Sequence, residues 1–408
     1  MHYPRVSLYA LMLAAAGIPL YIHLPRFASV NLGIGLGTIG TILLAIRLID
    51  LLQDPLIGWG IDRWPQAQRG FALIAAFGLA VGFPLLFSLT KGSNTVVWLV
   101  GILVLLFSSY SLGMILMYAR STTLAATPAP DDVMTMATFR EGGMLAGVVL
   151  AAIAPATFVA LGASTQGYPA FGVFLGALAV ICATVSFPIW QRRPVEGKPI
   201  NVSDLRHSGA LRLLGLALVN SLPVAITSTL FLFFVEDRLQ LPGKAGPLLI
   251  LFFLSAGLSL PFWTKLSQRR GAKQTLLLAM PLAILGFVGA AFLSTGDLVG
   301  FALICIASGA ALGADMVILP TMFSVALNRV GLEPSFAFGI WSFAGKLGLA
   351  LAAFMVLPLL EYQGFEPGTS NTASALASLN ISYAIVPCIL KLVAMALVLT
   401  LPSEGSPT

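Results

Sequence analysis

The chain has 408 residues, of which 58% are hydrophobic and 9% charged, with a mean hydropathy of +0.95. A soluble globular chain carries roughly 25% charged residues, so this sequence cannot cover a water-soluble fold of its size. The net charge of +6 and the pI near 9.4 would suit nucleic acid, but the placement of the basic residues excludes that partner.

Apolar runs long enough to cross a bilayer, about 20 residues each, recur from end to end. They lie near 6–24, 34–59, 71–90, 97–119, 141–162, 169–190, 211–235, 246–264, 274–294, 297–323, 335–360 and 379–401. The runs are continuous rather than alternating, which predicts twelve transmembrane helices and not a barrel. The first run reads as helix 1 and not as a signal peptide, because further apolar spans follow it instead of a soluble domain.

With the N-terminus in the cytoplasm, fifteen Lys and Arg fall in cytoplasmic loops and four in external ones; the other three of the 22, Arg47, Lys346 and Lys391, lie inside spans. That asymmetry is the positive-inside pattern and predicts both termini in the cytoplasm of an inner, multi-pass membrane protein. The basic excess is a topology signal.

Cys182, Cys305 and Cys388 lie in three different spans. Three scattered thiols in apolar surroundings read as small packing residues. The three histidines form no cluster, no GxxxxGK[ST] is present, and no nucleophile–base set appears. No cofactor, resident metal or enzymatic activity is expected.

Gln191–Ser208 is the longest strongly polar stretch. It predicts a bundle at 1–190, a cytoplasmic linker at 191–210 and a second bundle at 211–408. The halves echo each other. Span 2 leads into Gly58-Trp-Gly-Ile-Asp62-Arg63 and then Arg69-Gly70, and span 8 leads into Trp263-Thr-Lys265 and then Arg269-Arg270-Gly271. The two loop glycines are 271 − 70 = 201 residues apart, close to half the chain.

A charge at mid-bilayer costs roughly 3 kcal/mol on insertion scales, so each one needs a reason. Span 2 holds Arg47, Asp50 and Asp54. The two carboxylates are four residues apart and share a helix face. In low dielectric such a pair carries a proton or shares a metal cation such as Na⁺. Either way it is a cation-coupling device, with Gln53 beside it and Arg47 shielding part of its charge. The alternative is an ion network that locks helix 2 to a neighbour. Lys346 in span 11 is the natural link between that pair and a solute, or else a simple interhelical salt bridge. Asp315 in span 10 and Lys391 in span 12 read equally as a structural pair or as parts of a transport path. Arg140 and Glu141 open span 5 near the cytoplasmic edge, where a solvated helix start competes with a functional role.

Arg47-Leu-Ile-Asp50-Leu-Leu-Gln53-Asp54-Pro55-Leu-Ile-Gly58-Trp59 resembles the helix 2 signature of the melibiose-permease-like, glycoside–pentoside–hexuronide:cation symporter family. The two six-helix halves look like the major facilitator superfamily to which that family belongs. Gly313-Ala-Asp315-Met-Val-Ile-Leu-Pro320 and Gly339-Ile-Trp341-Ser-Phe-Ala-Gly-Lys346 resemble its helices 10 and 11. The resemblance implies coupling-cation carboxylates at Asp50 and Asp54, a nearby helix 11 lysine at Lys346, and a helix 5 arginine by the binding cavity at Arg140. It implies a solute held near mid-membrane between halves that rock around it.

The departures are informative. The family's sugar-binding aspartates on helices 1 and 4 fall at Ala14 and Tyr118, which argues against a galactoside. Its sodium-binding Asn and Thr fall at Gln53 and Ile115, which favours H⁺ over Na⁺.

The sequence therefore predicts an all-α membrane protein of the 6+6 major facilitator fold. Its expected function is cation-coupled symport of a small solute by alternating access. Expected partners are a small or amphipathic solute, the coupling cation and membrane lipid, with the protein a monomer. The alternatives are a carrier of lysophospholipids or other amphipaths, and a membrane assembly factor or sensor that no longer transports.

Overall fold

The computed structural model describes residues 3–24, 27–28, 31–34, 36–160, 162, 167–192, 209–366 and 370–401. Most of the expected linker, from 193 to 208, lies outside them. The elements of the described residues are helical. In chain order they are α1 (Tyr3–Ile18), α2 (Leu36–Arg63), α3 (Gln68–Phe87), α4 (Thr95–Ala119), α5 (Pro130–Ala160) and α6 (Tyr168–Ser186). Then come α7 (Ala210–Phe233), α8 (Ala245–Arg270), α9 (Ala272–Val288), α10 (Leu298–Arg329), α11 (Pro334–Tyr362) and α12 (Ala373–Leu399). Ten helices among the described residues are long and apolar enough to cross a membrane. The first two expected spans coincide with α1 and α2.

The helix surfaces carry large apolar side chains outward, such as Leu52, Leu258 and Phe354, each about three-quarters exposed. In water these would be a liability; against lipid tails they are the expected exterior. Both α1 and α7 run on into a π-helical turn, at Pro19–His23 and Phe234–Arg238.

Contacts divide the chain into two compact units. One is Met1–Asn201 with Leu327–Phe343, and the other is Val202–Ala326 with Ala344–Thr408. In the first, α5 lies directly on α1. A Cβ added at Gly143 or Gly147 would stand 2.1 Å from the Ser7 carbonyl oxygen or 2.3 Å from that of Leu11. Without a hydrophobic drive between helices in lipid, such small-residue seams let backbones approach and gain dispersion contact. In the second unit Phe234 stacks on Tyr383 with ring centroids 4.0 Å apart, inside a buried aromatic and aliphatic cluster.

The start of α5 corrects the sequence reading. Pro130 with Asp131 and Asp132 in the first turn is a strong helix opening, and the helix begins there rather than at 141. Arg140 and Glu141 are therefore well inside the helix, each 1% exposed. They are not a solvated helix start.

Candidate functional site

The residues of span 2 converge on one stretch of α2. Asp50 is 1% and Asp54 0% exposed. Gln53 Nε2 donates to Asp50 Oδ1 at 2.8 Å. The Gln53 carbonyl oxygen in turn accepts from the Ser108 hydroxyl of α4 at 2.9 Å. Arg47 approaches the other Asp50 oxygen at 3.6 Å, and its guanidinium lies 5.5 Å from the centre of the Phe107 ring on α4. Asp54 Oδ2 accepts from the Ser342 hydroxyl of α11 at 2.6 Å.

This stretch of α2 lies close along the first half of α11. A Cβ at Gly58 would meet the Ser335 carbonyl oxygen at 2.3 Å, and one at Gly339 would meet that of Asp54 at 2.6 Å. Two turns beyond Asp54, the Asp62 carboxylate accepts from the Ser335 N–H at 3.1 Å and the Phe336 N–H at 2.6 Å. Those amides belong to the first turn of α11 and have no acceptor within their own helix, so Asp62 caps it and meets the positive end of its dipole. Arg120, buried just past the end of α4, donates weakly to the Ile61 carbonyl at 3.5 Å. Burial pushes its guanidinium pKa down, and the charges of Asp62 and Glu333 oppose that shift.

A second cluster joins α4 and α5. The Arg140 guanidinium lies 3.8 Å from the centre of the Tyr118 ring, inside the range of a cation–π contact. Arg140 Nε donates to Glu141 Oε1 at 2.9 Å and Nη1 to the Ser121 hydroxyl at 2.9 Å. The Tyr118 hydroxyl donates to the same Glu141 oxygen at 2.9 Å. Arg140 Nη2 is buried with no hydrogen-bond partner among the described residues. Tyr118, which stands in place of a carboxylate in the resembled pattern, thus holds a carboxylate supplied by α5. Ala14 is buried and has no polar group to offer.

Asp315 is in a third place. It pairs with Lys391 of α12, and Asn220 of α7 joins both: Asn220 Nδ2 donates to Asp315 Oδ2 at 3.2 Å, and Lys391 Nζ donates to Asn220 Oδ1 at 2.7 Å. All three are buried in the second unit. Lys346 is partly buried and lies one helical turn beyond Ser342 on the same face of α11.

Residues 6–404 match the family model described as MFS/sugar transport protein. The chain belongs to that family. Its family and its fold are those of major facilitator transporters and not of an enzyme. The chain is similar to the uncharacterized symporter YnaJ of Bacillus subtilis (strain 168), with 24% identity over 392 residues, covering 89% of this chain and 83% of that one. Among solved structures, it shares its fold with a bacterial homologue of the iron transporter ferroportin in an outward-facing state with soaked iron. The TM-score is 0.69 at 16% identity, with 98% of each chain covered. The proton:xylose symporter XylE matches with TM-score 0.69 at 12% identity, covering 97% of this chain and 94% of that one. The Escherichia coli fucose:proton symporter FucP matches with TM-score 0.65 at 13% identity, covering 96% and 98%.

Sequence reasoning singled out the charged members of these clusters with Gln53 and Tyr118, and missed three further neutral partners. Ser108 bonds the half-buried amide of Gln53, and Ser342 and Asn220 bond buried charged groups, each from another helix. Asn220 carried a signal, being an amide in the middle of an apolar span. Ser342 sits four residues before Lys346, a spacing that marks a shared face. Ser108 carried none.

Proposed function

We propose that this family member is a proton-coupled symporter of the inner membrane, with both termini cytoplasmic, carrying a small hydroxylated solute by alternating access. The observation that carries this reading is the pair Asp50 and Asp54, both buried, four residues apart on one membrane helix. Two close carboxylates in low dielectric need a proton or a cation. Here Gln53 offers Asp50 an N–H rather than an oxygen, and Arg47 adds a positive charge. A metal ion wants several hard oxygens, so this arrangement favours the proton. The relative named as a symporter supports coupled transport.

In this reading Asp50 and Asp54 take the coupling ion, and Lys346 ties its occupancy to the solute. The Tyr118–Arg140–Glu141 cluster holds the solute. Arg140 Nη2 donates to a solute hydroxyl, and Glu141 accepts from one. The cluster is a neutral ion pair, which suits an uncharged ligand. The monomer suffices for all these roles. Ala14, apolar and buried in α1, keeps a second reading open: an amphipathic solute such as a lysolipid on the same fold. A sensor without transport would have no use for the buried carboxylate pair.

The experiment is a thermal-shift screen of the purified protein against sugars, polyols and lysolipids, followed by uptake of each stabilising compound into proteoliposomes. A bound solute raises the unfolding midpoint by mass action. Uptake of a hydroxylated solute driven by an inward proton gradient is expected. Uptake that ignores the gradient contradicts the reading.

A further inference from the structure

We infer that Ser108 sets the coupling ion, by holding Gln53 as a stand-in for a cation at Asp50; this rests on the proton reading of the same carboxylates. An amide side chain has one donor end and one acceptor end, and crystallographic practice assigns them from the surrounding network. With Asp50 ionised, the state in which a cation would bind, the network leaves one assignment. Asp50 Oδ1, an acceptor when ionised, faces the Gln53 amide at 2.8 Å and therefore takes its N–H. The carbonyl end then points at Ser108 on α4, whose hydroxyl donates to it at 2.9 Å.

The consequence concerns oxygen supply. A metal ion between the carboxylates needs hard oxygen ligands, and the Gln53 carbonyl is the obvious neutral one. Ser108 holds that carbonyl away from Asp50 and at the same time fixes the N–H end on the carboxylate. Asp50 thus already has a positive hydrogen end on one oxygen, with Arg47 near the other. A metal ion has to break the Ser108 bond and turn the amide over before it gains the ligand. A proton needs neither step. Ser108 is a specificity-determining residue, acting through Gln53.

The test uses the full-length protein in detergent, with NaCl replaced stepwise by choline chloride at constant ionic strength and pH, and the thermal midpoint as the readout. Ser108→Ala frees the amide, and the apparent affinity for Na⁺ should rise about fivefold or more, the equilibrium weight of one hydrogen bond. Ser108→Thr keeps a hydroxyl and should return the wild-type response. Adding Asp50→Asn to Ser108→Ala should remove the gained response, which places the ion at the carboxylates. Gln53→Asn, too short to keep the Ser108 bond, gives a second route if Ser108→Ala does not fold. Equal Na⁺ titrations for wild type, Ser108→Ala and Gln53→Asn overturn the inference, as does a Na⁺ response that survives Asp50→Asn. The proton reading fails separately, if wild-type uptake does not follow the proton gradient.

Discussion

The Ser342 hydroxyl donates to Asp54 at 2.6 Å, which fastens the first half of α11 to the buried carboxylate of α2. Eight residues along α2, Asp62 holds the first turn of the same helix. The carboxylate expected to take the coupling ion and the carboxylate that caps α11 therefore grip one helix at two points. Between them Gly58 and Gly339 bring the two backbones together. A change at Asp54 is felt by α11 directly.

Ser342→Ala should test that grip. A hydrogen bond to a charged group is worth about 1.5–3 kcal/mol, and Ser342 is only partly buried. The expected loss of stability is therefore about 1 kcal/mol, read by thermal or denaturant unfolding. Gradient-driven uptake should persist at a changed rate, because a hydrogen bond to Asp54 has been removed. Gradient-driven uptake equal to wild type would place Ser342 outside the coupling step.

Gly58→Ala should destabilise by about 1–3 kcal/mol, the usual cost of overpacking. The new methyl group would fall 2.3 Å from the Ser335 carbonyl oxygen, and backbone gives way less readily than a side chain. The neighbouring Gly60→Ala makes the control, since its Cβ would meet only the edge of Trp64 at 4.0 Å. Equal unfolding midpoints for the two variants would contradict the close α2–α11 packing.

Lys391→Met should be among the most damaging single changes in the second unit, at about 3–5 kcal/mol, because it strips Asp315 of its buried partner. Pairing it with Asp315→Asn should recover most of the loss, since an apolar and amide combination leaves no lone charge. Additive losses in that double-mutant cycle would show that the two residues do not act as a pair.

The fold was largely readable in advance, because lipid allows few ways to satisfy a backbone and twelve apolar runs spelled out the helices. The charged residues were readable for the same reason: Asp50, Asp54, Arg140, Asp315 and Lys346 stand out against apolar neighbours. What the sequence left open was who meets whom. Asp315 and Lys391 turned out to share Asn220. The Ser108 hydroxyl was hidden, since a serine in a membrane helix can bond its own helix's carbonyls and needs no distant acceptor. Thr321 does just that, donating to the Val317 carbonyl at 2.7 Å, and nothing in sequence separates it from Ser108. The depth of Arg140 and Glu141 was misjudged because Pro130, Asp131 and Asp132 look like a loop until they are recognised as a helix opening.

The proton-binding role of the α2 carboxylates is tested most directly by proton-driven uptake in proteoliposomes. Wild type and Asp54→Asn would be compared, using a solute identified by thermal shift, with an inward proton gradient and Na⁺ replaced by choline. Removing one charge of a close pair relieves repulsion, so the variant should insert and fold as well as wild type. Wild type should accumulate solute, lose accumulation on adding a protonophore and ignore the absence of Na⁺, while Asp54→Asn should show no gradient-driven accumulation. Uptake that saturates with Na⁺ at fixed pH and vanishes without it, or wild-type accumulation by Asp54→Asn, would contradict the account.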